Sequence, residues 1–225
     1  RGISLAAAEG NLAFSIPDGD PRIWLRPLLR PLEDVAELMT PRRGDFDLNP
    51  AWRAEAEAPL LRPAAVLVPI VDRPEGLTVL LTRRSAHLAS HAGQVAFPGG
   101  RIDPDDDGPV GAALREADEE TGIAAEFVTP IGFLDPYETG SGFVIVPVVG
   151  VLREGWTATP NPGEVDEIFE VPFAFLMDVA NHQRHSSVWQ GRERRYYAMP
   201  YESHNIWGAT AGMIVNLRER LFGPA

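Results

Sequence analysis

The chain contains no cysteine. That removes disulfide staples, thiolate zinc sites and cysteine nucleophiles together, so stability rests on packing and any bound metal is held by oxygen or imidazole ligands. Basic residues are also scarce, 20 Lys and Arg against 32 Asp and Glu, for a formal charge of −12. That balance argues against a nucleic-acid backbone as the main partner, because phosphate chains are bound by clustered Lys and Arg. Long hydrophobic runs are missing as well. The longest apolar stretches, near Ala64 to Val71 and Phe143 to Leu152, are about half of the ~20 residues that a membrane-crossing helix needs. The opening residues carry no charged, apolar, small-residue signal pattern, and the expectation is a soluble cytoplasmic protein with no membrane partner.

What the chain does have is length and apolar content, 225 residues of which 44% are hydrophobic, enough for one sizeable α/β domain with decoration. Residues 1–59 are rich in Ala, Pro and Arg. They read as an extension that packs on a core of residues 60–225, with one helical candidate from Pro31 to Met39 where Leu32, Val35, Ala36 and Met39 recur at helical spacing. Beyond it, the runs Ala64 to Val71 and Leu77 to Thr82 flank Arg73-Pro74-Glu75-Gly76 and predict a buried hairpin. Gln94 to Phe97 predicts a short strand stopped by Pro98-Gly99-Gly100, and an acidic loop follows. A helix is expected from Pro109 to Thr121, with Gly122 as its left-handed C-terminal cap. Further strands are expected at Phe127 to Leu134, Phe143 to Leu152, Ile168 to Val171 and Arg194 to Met199, and helices at Phe173 to Asp178 and Ala209 to Leu221. Strands interspersed with helices and no internal repeat indicate an α/β sandwich around a mixed sheet.

Chemistry concentrates on the helix through Arg115-Glu116-Ala117-Asp118-Glu119-Glu120. Glu119 and Glu120 lie three and four residues beyond Glu116, so the three carboxylates share one helical face. Like charges at that spacing repel, and the face requires cations. Arg115, four residues before Glu119, neutralises part of the charge, and a hard divalent ion such as Mg²⁺ or Mn²⁺ suits the remainder. Leu114, Ala117 and Thr121 form the stripe expected to pack on the sheet, with Ala112 and Ala113 leaving room beside the carboxylates. Just upstream, Gly99 and Gly100 permit close approach of backbone or phosphate. His87 and His91 are four residues apart but lack a third ligand for zinc, and Tyr196, Tyr197 and Trp207 read as core or rim. Arg192, Arg194 and Arg195 read as a solvated strand edge.

The stretch Gly100, five residues, Asp106, eight residues, Arg115-Glu116-Ala117-Asp118-Glu119-Glu120-Thr121-Gly122-Ile123 resembles the Nudix box, with Asp106 where the box has Glu and a spacer one residue longer. The resemblance implies a Nudix-type α/β/α sandwich and a hydrolase that cuts a diphosphate linkage with the help of divalent metal. Leu80 to Ser85, Gly93 to Gly100, Asn161 to Pro172 and Trp207 to Ala211 look like the coenzyme A pyrophosphatase branch of that family, and the longer spacer is the branch's too. The branch's pattern carries an Arg where this chain has Ala89. Arg83, Arg84, His87 and His91 remain nearby to meet phosphates.

On this reading Glu116, Glu119 and Glu120 hold Mg²⁺ or Mn²⁺, Arg115 supports them, and the base is a box glutamate or Glu164; Glu164 and Glu167, on a loop before a strand, supply a further metal ligand or a base, or else simple loop polarity. Arg83, Arg84, Gly99 and Gly100 are the candidate substrate contacts. Coenzyme A or an acyl derivative would yield 4′-phosphopantetheine and 3′,5′-ADP. The alternatives are a pyrophosphatase for ADP-ribose, dinucleotides or nucleoside triphosphates, and a non-catalytic ligand sensor of the same fold. A homodimer is a family-level expectation.

Overall fold

The two apolar runs on either side of Pro74-Glu75 pair as antiparallel strands, β4 (Arg62–Arg73) and β5 (Gly76–Arg84), longer at both ends than their apolar cores. In this computed structural model residues 6–8, 11–13, 15–51, 60–189 and 191–224 are described; part of the N-terminal extension, including 1–5 and 52–59, lies outside them. Two three-residue strands, β1 (Ala6–Ala8) and β2 (Asn11–Ala13), form a separate pair.

Strand β4 is buried along most of its length, as expected of a strand covered on both faces. It pairs in parallel with β10 (Phe143–Leu152), the second continuous apolar run. Around these two are arranged β3 (Arg43–Gly44), β6 (Val95–Ala96), β7 (Gly99–Arg101), β8 (Val128–Phe133), β9 (Tyr137–Glu138) and β11 (Val165–Pro172). The main path of this mixed sheet runs β11, β5, β4, β10, β9, β3.

Alternation along β4 divides the core in two. Val66, Val68 and Ile70 face one layer with Val79 and Leu81, and there they meet Phe173 and Met177 of α3 (Phe173–Met177) and Met213, Ile214 and Leu217 of α4 (Gly208–Phe222). Ala65, Leu67 and Val71 face the other, against Ala112, Ala113 and Ala117 of α2 (Gly108–Thr121). The result is a helix, sheet, helix sandwich. A three-stranded antiparallel sheet of β12 (Gln183–Trp189), β13 (Arg192–Tyr201) and β14 (His204–Trp207) completes the described part. No helix among the described residues is long and apolar enough to cross a membrane.

The helix expected from Pro31 to Met39 does not form. That segment is a series of tight turns, with Asp34 N–H donating to Pro31 O and Leu38 N–H to Val35 O. Its organising group is the buried Arg30, which reaches Asp34 at 2.5 Å and Glu37 at 3.8 Å. Leu38 is buried, whereas Val35, Ala36 and Met39, three of the four residues of the helical stripe, are exposed. The helical turn in this region is instead α1 (Pro21–Leu25), capped by Asp20, whose side chain accepts from Arg22 N–H. Arg194, expected on a solvated edge, is also corrected: it donates to Asp45 at 2.7 Å, and Asp45 accepts the Tyr137 hydroxyl as well.

The extension is fixed to α4 through Asp135. Arg220 approaches that carboxylate at 2.6 Å, Asn216 Nδ2 donates to it at 2.9 Å, and Arg220 Nη1 also donates to Leu28 O. Burial pushes the Asp135 carboxyl up, but Arg220, Asn216 and Arg30 outweigh it and hold it below its ordinary range. Stability from a depressed carboxyl is complete above the unfolded pKa of about 3.9 and is lost as pH falls through the folded value. Arg220→Ala is therefore expected to cost roughly 1–3 kcal/mol at pH 7. In urea denaturation across pH the difference from wild type should shrink below about pH 4; a difference that stays constant down to about pH 2 would remove Asp135 from this role.

Candidate active site on the carboxylate helix

Helix α2 opens with Pro109 in its first turn and closes at Gly122, which adopts φ 68° and ψ 10°, a conformation that favours glycine. Three of its last four carbonyls accept hydrogen bonds from beyond the helix. Gly122 N–H donates to Asp118 O at 2.7 Å, Thr159 N–H to Thr121 O at 2.7 Å and Asn161 N–H to Glu120 O at 3.0 Å. The loop after β10 is thereby joined to the end of the helix that carries Glu120. The same loop presents Glu164, whose N–H donates to Asn161 O and whose carbonyl accepts Ser85 N–H at 2.8 Å.

The three glutamates differ in burial. The side chain of Glu119 is 52% exposed, that of Glu116 15% and that of Glu120 2%. Glu120 thus turns toward the sheet, while Ala112 and Ala113 pack fully into the core instead of flanking the carboxylates. Two weak contacts meet Glu120: Arg84 Nη1 donates to Oε1 at 3.3 Å and Gly99 N–H to Oε2 at 3.3 Å. Burial pushes its pKa up to about 7; Arg84 and the Gly99 N–H oppose the shift, and the charges of Glu164 and Glu116 add to it. Burial raises Glu116 too, against the lowering effect of Arg115.

Arg115 organises the exposed side. Its guanidinium forks onto Asp106, Nε to Oδ1 at 2.9 Å and Nη2 to Oδ2 at 3.0 Å, and Nη1 donates to Glu116 at 3.0 Å and Glu119 at 3.2 Å. That fork keeps the Asp106 carboxyl below its ordinary range and raises Arg115. The Asp that stands for Glu, in a spacer one residue longer, still closes on Arg115.

Gly99 and Gly100 lie in β7, paired with Val66 and Ala65 of β4. A Cβ at Gly99 would strike the β4 backbone and one at Gly100 the Glu116 carboxylate, so close approach here is to the protein's own backbone and carboxylate. Arg83 and Arg84 separate by strand alternation. Arg84 joins Glu120, whereas Arg83 pairs with Glu167 at 3.3 Å. His87 and His91 are both exposed on the loop after β5.

Among the described residues no three acidic or imidazole side chains already converge as a cation cage, and Arg115 and Arg84 engage the box carboxylates. The donor set is nonetheless all oxygen and includes a buried carboxylate with only two long contacts, which fits a hard divalent ion.

A model of the NUDIX domain matches residues 61–193. The chain belongs to the Nudix hydrolase family. It is 44% identical over 160 residues to the uncharacterized Nudix hydrolase NudL of Photorhabdus laumondii, covering 71% of this chain and 85% of that one. With the protein of the same name from Yersinia enterocolitica it shares 41% identity over 185 residues, 82% of this chain and 89% of the other. Among solved structures, the C. elegans Ap4A hydrolase binary complex aligns with a TM-score of 0.43 and 22% identity over 49% of this chain and 80% of that one. The NUDIX domain of Shewanella oneidensis NrtR, in complex with ADP ribose, gives 0.41 and 21% over 56% and 83%. The protein is therefore a Nudix hydrolase, an enzyme acting on the diphosphate linkage of a nucleoside diphosphate derivative in a family that generally uses divalent metal ions.

The packing of Gly100 on Glu116 generates a test. Gly100→Ala should move the Glu116 carboxylate while leaving the fold in place, since the group it strikes is the end of a flexible side chain. Turnover is expected to fall by at least about tenfold with a melting temperature within a few degrees of wild type. Wild-type turnover would show that the position of Glu116 is immaterial.

Proposed function

We propose that this Nudix hydrolase cleaves coenzyme A or acyl-coenzyme A to 4′-phosphopantetheine, or its acylated form, and 3′,5′-ADP, using Mg²⁺ or Mn²⁺ held by Glu116, Glu119 and Glu120. The observation that carries the reading is a convergence of sequence segments. Those that resemble the coenzyme A branch, remote in the chain, meet around the end of β5, the strand whose Arg84 reaches Glu120. Ser85 N–H donates to Glu164 O at 2.8 Å, Ala86 N–H to Asp166 at 3.1 Å and the Thr210 hydroxyl to Val95 O at 3.2 Å. This convergence supports one shared substrate site.

The reaction adds water across one phosphoanhydride: the water oxygen bonds to phosphorus, the bridging P–O bond breaks and the leaving phosphate takes up the charge. A bound divalent ion offsets charge on the non-bridging oxygens and acidifies the attacking water. Arg115 orients Glu116 and Glu119 through contacts at 3.0 and 3.2 Å, and Arg84 adds positive charge beside Glu120. We assign the general base to Glu164, because the box glutamates are engaged by arginines while Glu164 is near enough for its charge to act on both Glu116 and Glu120.

Removing divalent metal with excess EDTA is expected to abolish turnover, and full activity under EDTA would sink the assignment of the carboxylates. Glu120→Gln should lower kcat by at least about 100-fold while the protein stays folded, since it replaces a charged ligand by a neutral isostere. For the substrate, products are identified after incubation with Mn²⁺ and coenzyme A, ADP-ribose, NADH or dGTP. Coenzyme A or an acyl derivative is expected to give the highest kcat/KM; a larger value for another substrate would replace the coenzyme A reading and leave the hydrolase in place.

A further inference from the structure

Arg83 points away from the carboxylate helix into a second charged cluster that the hydrolytic site does not use. Glu167, its register partner across β5 and β11, receives Arg83 Nη2 at 3.3 Å and His204 Nε2 at 3.1 Å, both on Oε2. His204 comes from β14, and its ring lies flat on Phe169, with centroids 3.8 Å apart and planes 12° apart. The His204 side chain is only 8% exposed. Among the described residues its Nδ1 has no hydrogen-bond partner, and the approach of Nε2 to Glu167 lacks the direction of a hydrogen bond.

Buried ring nitrogens without partners are unfavourable, and a fold that keeps them calls for a reason. Here stacking on Phe169 fixes the imidazole beside Arg83, so a guanidinium and an imidazole nitrogen lie within 3.3 Å of one carboxylate oxygen. That oxygen belongs to a side chain still 37% exposed and therefore free to swing outward. Groups that hold a carboxylate oxygen in this way also hold a phosphate oxygen, and a phosphate monoester brings more charge and three acceptors. The cluster also begins one residue from Arg84, which holds Glu120.

We propose that Arg83 and His204 form a subsite for a phosphate monoester on the substrate, with Glu167 as an internal anion that the phosphate displaces. This deepens and rests on the coenzyme A reading, in which the group taken is the 3′-phosphate of the adenosine half. Phe169 supplies the flat floor that keeps His204 in place, and Glu167 sets a threshold, since only a more highly charged ligand outcompetes it.

The test is calorimetric binding of 3′,5′-ADP and 5′-AMP to the full chain with Mn²⁺ present, a readout that needs no turnover. Wild type is expected to bind 3′,5′-ADP at least about tenfold more tightly than 5′-AMP. Arg83→Ala and His204→Asn should bring that ratio toward one, whereas Glu167→Gln, which removes the competing charge but keeps its shape, should widen it. Equal binding of the two nucleotides by wild type, a ratio that survives Arg83→Ala, or a ratio that narrows in Glu167→Gln would overturn the subsite. If His204→Asn does not fold, the opposite signs of the other two variants still decide. A preference for 3′,5′-ADP in an enzyme that does not cleave coenzyme A would keep the subsite and remove the coenzyme A reading. Coenzyme A turnover with equal nucleotide binding would do the reverse.

Discussion

Glu120 occupies the sheet-facing side of α2 with 2% of its side chain exposed, and a charge placed there has to be compensated from its surroundings. Much of the nearby architecture serves that requirement. β7 passes close enough to β4 for the Gly99 N–H to reach the carboxylate, which a side chain at Gly99 would prevent. β5 ends at Arg84, the nearest cation. The loop after β10 takes up the helix's terminal carbonyls and so delivers Glu164 to the same place. These contacts at 3.3 Å compensate incompletely, and a carboxyl pushed up to about 7 is the consequence. A site with unmet demand for positive charge is what a cation-dependent hydrolase requires.

The rest of the sandwich provides rigidity on both sides of that seam. Ala112, Ala113 and Ala117 let α2 lie close to β4 and β10, and the C-terminal helix α4 covers the opposite face. Gly212 allows α4 to approach Tyr137, since a Cβ there would meet the tyrosine ring at 2.6 Å. Tyr137 in turn donates to Asp45 of the extension. The N-terminal segment is thus tied through Asp45 and Asp135 to elements late in the chain, on the layer away from the carboxylates.

Parts of this were legible in the sequence because they follow local rules. The spacing of Glu116, Glu119 and Glu120, Pro109 at the start of α2 and Gly122 at its end each specify local geometry, and α2 runs as those signals indicate. The continuous apolar runs of β4 and β10 likewise announce strands covered on both faces. Other features depend on long-range partners. The apolar spacing from Pro31 to Met39 suits a helix, but Arg30 draws Asp34 and Glu37 into turns instead. β12 and β14 carry polar and mixed residues without clean alternation, so their pairing with β13 shows only in three dimensions. The unequal burial of the three glutamates, and the meeting of Arg83, Glu167 and His204, join residues up to about 120 positions apart and leave no periodic trace. The divergence of Arg83 and Arg84 was the exception: strand alternation alone would have separated them.

The central claim is that the buried Glu120 carboxylate is completed by a divalent cation. Titration calorimetry of Mn²⁺ into the metal-free protein, run in buffers of different ionisation enthalpy, tests it most directly. A carboxyl with a pKa of about 7 is about half protonated at pH 7, so binding should release about half a proton per protein. In Glu120→Gln both that proton and at least about tenfold of the Mn²⁺ affinity should be lost. Unchanged affinity in the variant, with no proton released by wild type, would contradict the account.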